Sequence, residues 1–135
     1  MSVEMSDRLR KMAGVSTARM RGDLTLIVAP RFMAMDRSSA ASSLLDGARQ
    51  VPLELTDELT PMMVPSSGVV VVQVDPTVPS SMTRIEKLRT RNPDLSVIVA
   101  LEKTDLRLVR TLIRGGVSDA ISLPLEEDEL LQAVL

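Results

Sequence analysis

Residues 69 to 74 read VVVVQV, closed by Asp75 and set between Gly68 and Pro76. Successive side chains of a strand point to opposite sides, so four consecutive valines leave no face for solvent and the run must be covered on both. Strands of that kind belong to parallel sheets flanked by helices.

The same pattern recurs along the chain. DLTLIVA (23–29) reads as a strand stopped by Pro30, VPLEL (51–55) as a second, VVVVQVD (69–75) as the third, SVIVAL (96–101) as the fourth and DAISL (119–123) as the fifth. Helical stretches alternate with them. MDRSSAASSLLDG is expected to start near a cap at Asp36 and stop at Gly47, whereas TDELTPMM, broken by Pro61, supports a turn or two at most. SSMTRIEKLRTRN places Met82, Ile85 and Leu88 on one face and ends at Asn92-Pro93. TDLRLVRTLIRGG is capped by Thr104 or Asp105, offers Leu106, Val109 and Ile113 as its core stripe, and terminates at Gly115-Gly116. PLEEDELLQAVL opens a last, short helix with an acidic first turn. That shortness suggests a domain cut from a longer chain, or a partner that completes the surface.

Five strand–helix units with right-handed crossovers fit a three-layer α/β/α flavodoxin-like fold, with a five-stranded parallel sheet in the order 2-1-3-4-5. A chain of 135 residues is long enough for one such domain, which we place at 23–135 behind a flexible N-terminal arm at 1–22.

The residue inventory narrows the chemistry. There is no Cys and no His, which removes thiolate nucleophiles, Ser–His pairs, imidazole acid–base catalysis and a zinc site. Phe32 is the one aromatic residue, so a base or flavin ring has little to stack on. A net charge of −2 argues against bulk electrostatic binding of nucleic acid, and the basic row RIEKLRTR reads as a solvated helix face. No window is long and apolar enough for a membrane span and no secretory signal opens the chain, so a cytoplasmic location is expected.

Asp75 then has two readings: a reactive carboxylate at the carboxyl end of a central strand, where open α/β sheets place their sites, or a carboxylate that caps the following turn by accepting backbone N–H groups. At this point VVVVQVDPTVP, LRTRNPDLSVIVAL and IRGGVSDAISLPL together resemble the receiver domains of the response-regulator (CheY-like) superfamily, over residues 23–135. The resemblance implies that Asp75 stands at the phosphoacceptor position and that the Leu123-Pro124 bond is cis. In that superfamily an acidic pair at the end of the first strand helps hold Mg²⁺, and here those positions are Ala29 and Pro30. The hydroxyl of the fourth strand is replaced by Leu101, the switch aromatic of the fifth by Ala120, and the lysine after it by Leu123. Without metal ligands and countercharge, phosphoryl transfer loses its electrostatic support. Asp36, Glu102 or Arg31 from nearby loops would be needed to rebuild it.

Joint loss of these groups resembles the atypical receiver domains at the N-terminus of CpaE/TadZ pilus assembly proteins, which continue into an ATPase domain. The expected function is therefore non-enzymatic: a phosphorylation-independent interaction module without a cofactor. It would pair as a homodimer, or dock a protein partner or a downstream ATPase domain, through its fourth helix, fifth strand and fifth helix. Arg107, Arg110 and Arg114 would oppose Glu126, Glu127, Asp128 and Glu129 there. The alternative is a working phosphoacceptor with Mg²⁺ at Asp75.

Overall fold

The computed structural model describes residues 24–33 and 47–134, and the expected arm and the helix capped at Asp36 lie outside them. Five strands, β1 (Leu24–Val28), β2 (Arg49–Pro52), β3 (Gly68–Val74), β4 (Leu95–Leu101) and β5 (Asp119–Ser122), form one sheet. Its order is β2-β1-β3-β4-β5 and every neighbouring pair is parallel. The helices among the described residues are α1 (Pro79–Arg91), α2 (Leu106–Arg114) and α3 (Glu127–Val134), with 3₁₀ turns at Pro30–Phe32 and Pro61–Met63.

The valine run behaves as its composition dictates. Val71 joins Leu24, Leu26, Val28, Ile98, Ala100 and Ile121 on the face covered by Leu130 and Leu131 of α3. Val70, Val72 and Val74 turn the other way, with Ile27, Val97, Val99 and Leu101, beneath Ile85 and Leu88 of α1 and Leu112 of α2. Period-two alternation thus divides one apolar run between two cores.

The second strand departs from expectation. It occupies Arg49–Pro52 rather than 51–55, its register set by Thr25↔Arg49 through Val28↔Pro52. As an edge strand it is mostly exposed and carries no apolar pattern to read; after Leu53 the backbone closes the turn in which Asp57 N–H donates to Glu54 O.

The stripe of α2 also differs. Leu106 is 65% exposed and Ile113 45%, whereas Leu112 is buried, with Leu108 and Val109 packed at the edge of the same core. Rotating the stripe by one residue changes its direction by about 100°, and a helix with apolar residues at 106, 108, 109, 112 and 113 allows either choice wherever its cap lies. That cap is Asp105, whose Oδ1 accepts from the N–H groups of Arg107 and Leu108. Gly116 ends the helix at φ 106°, in the left-handed region, with the Arg89 guanidinium so close that a Cβ there would meet Nη2 at 1.8 Å. The Leu123-Pro124 peptide bond is cis, as the resemblance implies.

Candidate functional site

The ends of β1, β3, β4 and β5 bring Ala29, Pro30, Asp75, Leu101 and Leu123 to the carboxyl edge of the sheet. Asp75 is half-buried there, and its carboxylate is engaged by its own turn. Oδ1 accepts from Thr77 N–H at 2.8 Å and from Thr77 Oγ1 at 2.7 Å, an Asx turn produced by the Asp-Pro-Thr sequence. These two bonds hold the carboxyl below the usual aspartate range, with a smaller contribution from the charge of Lys103 and against a modest opposing effect of burial. The main chain of Asp75 is fixed too. Its N–H donates to Ser81 Oγ at 3.0 Å, and the fully buried Ser81 hydroxyl shares its single proton between Asp75 O at 2.9 Å and Val78 O at 2.8 Å.

Ala29, Leu101 and Leu123 are buried aliphatic side chains, so none supplies an oxygen or a charge at this edge. Pro30 is exposed and opens the 3₁₀ turn. Ala120, half-buried at the margin of the α1–α2 core, leaves no aromatic ring to swing between core and solvent. The Ala29 N–H donates to Gln73 Oε1 at 2.8 Å, so the position where the superfamily resemblance implies a carboxylate is tied to β3 by a neutral bond.

Arg31 and Glu102 do reach this edge, but toward each other. The Arg31 guanidinium lies 3.6 Å from Glu102 and 3.7 Å from Glu54, joining the loops after β4 and β2 across the end of β1. It stacks 4.6 Å above the Phe32 ring. All three charged side chains are about half exposed, so these pairs orient the loops more than they stabilise them. Asp36 lies outside the described residues. No group of three acidic side chains suited to a metal ion is found among the described residues. The Mg²⁺ that the receiver resemblance implies does not fit this donor set. Asp75 Oδ1 already accepts two hydrogen bonds, and the first strand offers an alanine and a proline.

Lys103 is a residue that sequence reasoning missed. It follows β4 rather than β5, and its charge nevertheless acts on Asp75. Thr77 and Ser81 were legible only in part: a hydroxyl two residues after an aspartate is a turn signal, but nothing in SSMTRI marks its second serine as a buried anchor.

On the opposite flank, Arg107, Arg110 and Arg114 all lie exposed along α2, beside the uncovered Leu106 and Ile113. The acidic opening of α3 is less available than expected. Glu127 is buried, and Glu129 is folded back, its Oε1 accepting from Ser122 N–H and Oγ. Glu126 and Asp128 remain exposed.

A five-stranded parallel sheet in the order 2-1-3-4-5, flanked by helices and carrying an aspartate at the end of its third strand, defines a receiver-like, CheY-type α/β fold. Among solved structures the chain is similar to a pilus assembly protein CpaE from Caulobacter crescentus, with TM-score 0.57 and 21% identity over 82% of this chain and 89% of that one. It is similar also to a CpaE2 pilus assembly protein from Sinorhizobium meliloti, with TM-score 0.53 and 21% identity over 82% of this chain and 95% of that one. No protein-family model and no curated protein sequence matches the chain. Among the described residues no helix is long and apolar enough to cross a membrane.

Proposed function

We propose that this domain is a non-enzymatic interaction module of a pilus assembly system, a receiver fold that works without phosphorylation. The observation that carries this reading is the state of Asp75: one oxygen of its carboxylate, Oδ1, is bonded twice to Thr77, and no second carboxylate joins it from the end of β1. An acyl phosphate there would gain close to two negative charges, with Lys103 the cation whose charge acts on the site among the described residues. The similarity to the two CpaE-type structures supports the pilus assembly context.

The working surface in this proposal is α2 with β5 and the start of α3, and its occupant is a second copy of the chain. Leu106 and Ile113 give it an apolar centre, Arg107, Arg110 and Arg114 a positive rim, and Glu126 and Asp128 the opposite charge for a two-fold partner. Two measurements test it. Exposure to Mg²⁺ and beryllofluoride should leave the amide signals around Asp75 unmoved; a saturating shift there would make the domain a working phosphoacceptor. Light scattering should show that Arg110→Glu with Arg114→Glu lowers the dimer mass, and an unchanged mass would remove this face from the proposal.

A further inference from the structure

The connection between β2 and β3 holds no α-helix, only the turn Pro61–Met63. Among the described residues no helix covers the neighbouring flank of α1, and a cavity of about 670 Å³ lies between helix and loop. That volume falls within the range of about 300–1,000 Å³ usual for small-molecule sites. Leu59, Pro61, Val64 and Leu88 supply an aliphatic lining. Arg84, Lys87 and Arg91, spaced three and four residues apart on one face of α1, line the same cavity with three cations, against the two carboxylates of Asp57 and Glu58 on the loop side.

Arg84 is the unusual member. It is 6% exposed, and its guanidinium is held by main-chain oxygens alone: Nη1 donates to Glu54 O at 2.9 Å and Asp57 O at 3.0 Å, and Nη2 to Gln73 O at 3.1 Å. Its Nε is buried without a hydrogen-bond partner, and among the described residues no carboxylate forms an ion pair with it. Asp57 is near enough for its charge to favour the guanidinium, yet its Oδ2 is turned to the N–H of Glu54. A buried cation with an orphaned donor and no hydrogen-bonded carboxylate is costly, and an anion beside it would offset that cost.

We propose that this cavity binds an aliphatic carboxylate, its head held by Arg84, Lys87 and Arg91 and its tail laid along Leu59, Val64 and Leu88. A planar aromatic ligand is disfavoured, because no aromatic side chain lines the cavity. The site is independent of the dimer face and of Asp75.

Octanoate is the probe, with octylammonium and acetate as controls, followed by amide chemical shifts and thermal melting. Octanoate is expected to shift the amides of Leu59, Thr83 and Leu88 in a saturable manner and to raise the melting temperature. Acetate, lacking the tail, binds at least tenfold more weakly, and octylammonium leaves those amides in place. Lys87→Glu with Arg91→Glu reduces octanoate affinity at least tenfold. Absence of saturable shifts at millimolar octanoate, equal binding of octylammonium, or an unchanged affinity after charge reversal each overturns the proposal. If the double variant does not fold, Val64→Trp fills the apolar end instead, and undiminished octanoate binding to it counts equally against the site.

Discussion

The backbone N–H of Ala29 donates to the side-chain carbonyl of Gln73 at 2.8 Å, with both residues at 1% exposure or less. Ala29 lies just past the end of β1 and before Pro30, which has no N–H of its own. Gln73 completes this corner twice, since its main-chain oxygen accepts from Arg84 Nη2. Replacement by leucine keeps the volume but leaves the Ala29 donor buried and unpaired, at a cost of about 1–3 kcal/mol. Gln73→Leu is therefore expected to lower the urea midpoint with an unchanged m-value. A midpoint equal to wild type would mean that water or a backbone shift replaces the lost acceptor.

The carboxyl group of Asp75 is held below its ordinary value, first by the Thr77 hydroxyl and then by the Thr77 N–H. A carboxyl whose folded-state value is depressed contributes stability that is present above its unfolded value and is lost as pH falls through the folded one. Stability from this turn should accordingly decline in acid, below about pH 4. Thr77→Val removes the larger of the two bonds and should move the Asp75 carboxyl carbon titration upward in NMR while narrowing the stability difference between neutral and acid pH. A titration that does not move would assign the depression to the backbone bond and Lys103 instead.

The two leucine-like positions 112 and 113 give opposite expectations for the same substitution. Leu112 is buried at 9% exposure among the α1–α2 core, so Leu112→Ala should cost about 2–4 kcal/mol in chemical denaturation. Ile113 is 45% exposed, and Ile113→Ala should stay within about 0.5–1 kcal/mol. Comparable losses at both sites would mean that α2 sits rotated from the orientation described.

This pair also marks where the sequence stops being readable. The valine run and a capped start of α2 at Thr104 or Asp105 follow from local chemistry, because a two-sided apolar strand and a capping side chain each have few alternatives, and the order of strands follows from the alternation of five strand–helix units. The rotation of α2 and the position of β2 do not, since both depend on what neighbouring elements cover, and the edge strand has no burial pattern of its own. At the site, the missing carboxylates at Ala29 and Pro30 were plain from the chain. The pairing of Arg31 with Glu54 and Glu102, the charge of Lys103 beside Asp75 and the buried guanidinium of Arg84 required loops distant in sequence to meet.

β5 lies at the edge of the sheet, and two carboxylates guard it. Asp119 Oδ1 accepts from Ala120 N–H, and Glu129 Oε1 accepts from Ser122 N–H, two residues farther along. Period-two geometry places both N–H groups on the side away from β4, where an approaching strand would otherwise find free donors. The guards make strand addition at this edge unfavourable. Glu129→Ala uncovers the Ser122 donor and removes the charge beside it. The variant is expected to exchange the Ser122 amide faster in hydrogen–deuterium exchange and to form larger species on heating, visible by light scattering, whereas Glu126→Ala, on an exposed side chain just before the same helix, does neither. If both variants behave alike, the protection of this edge comes from its short length rather than from the carboxylate.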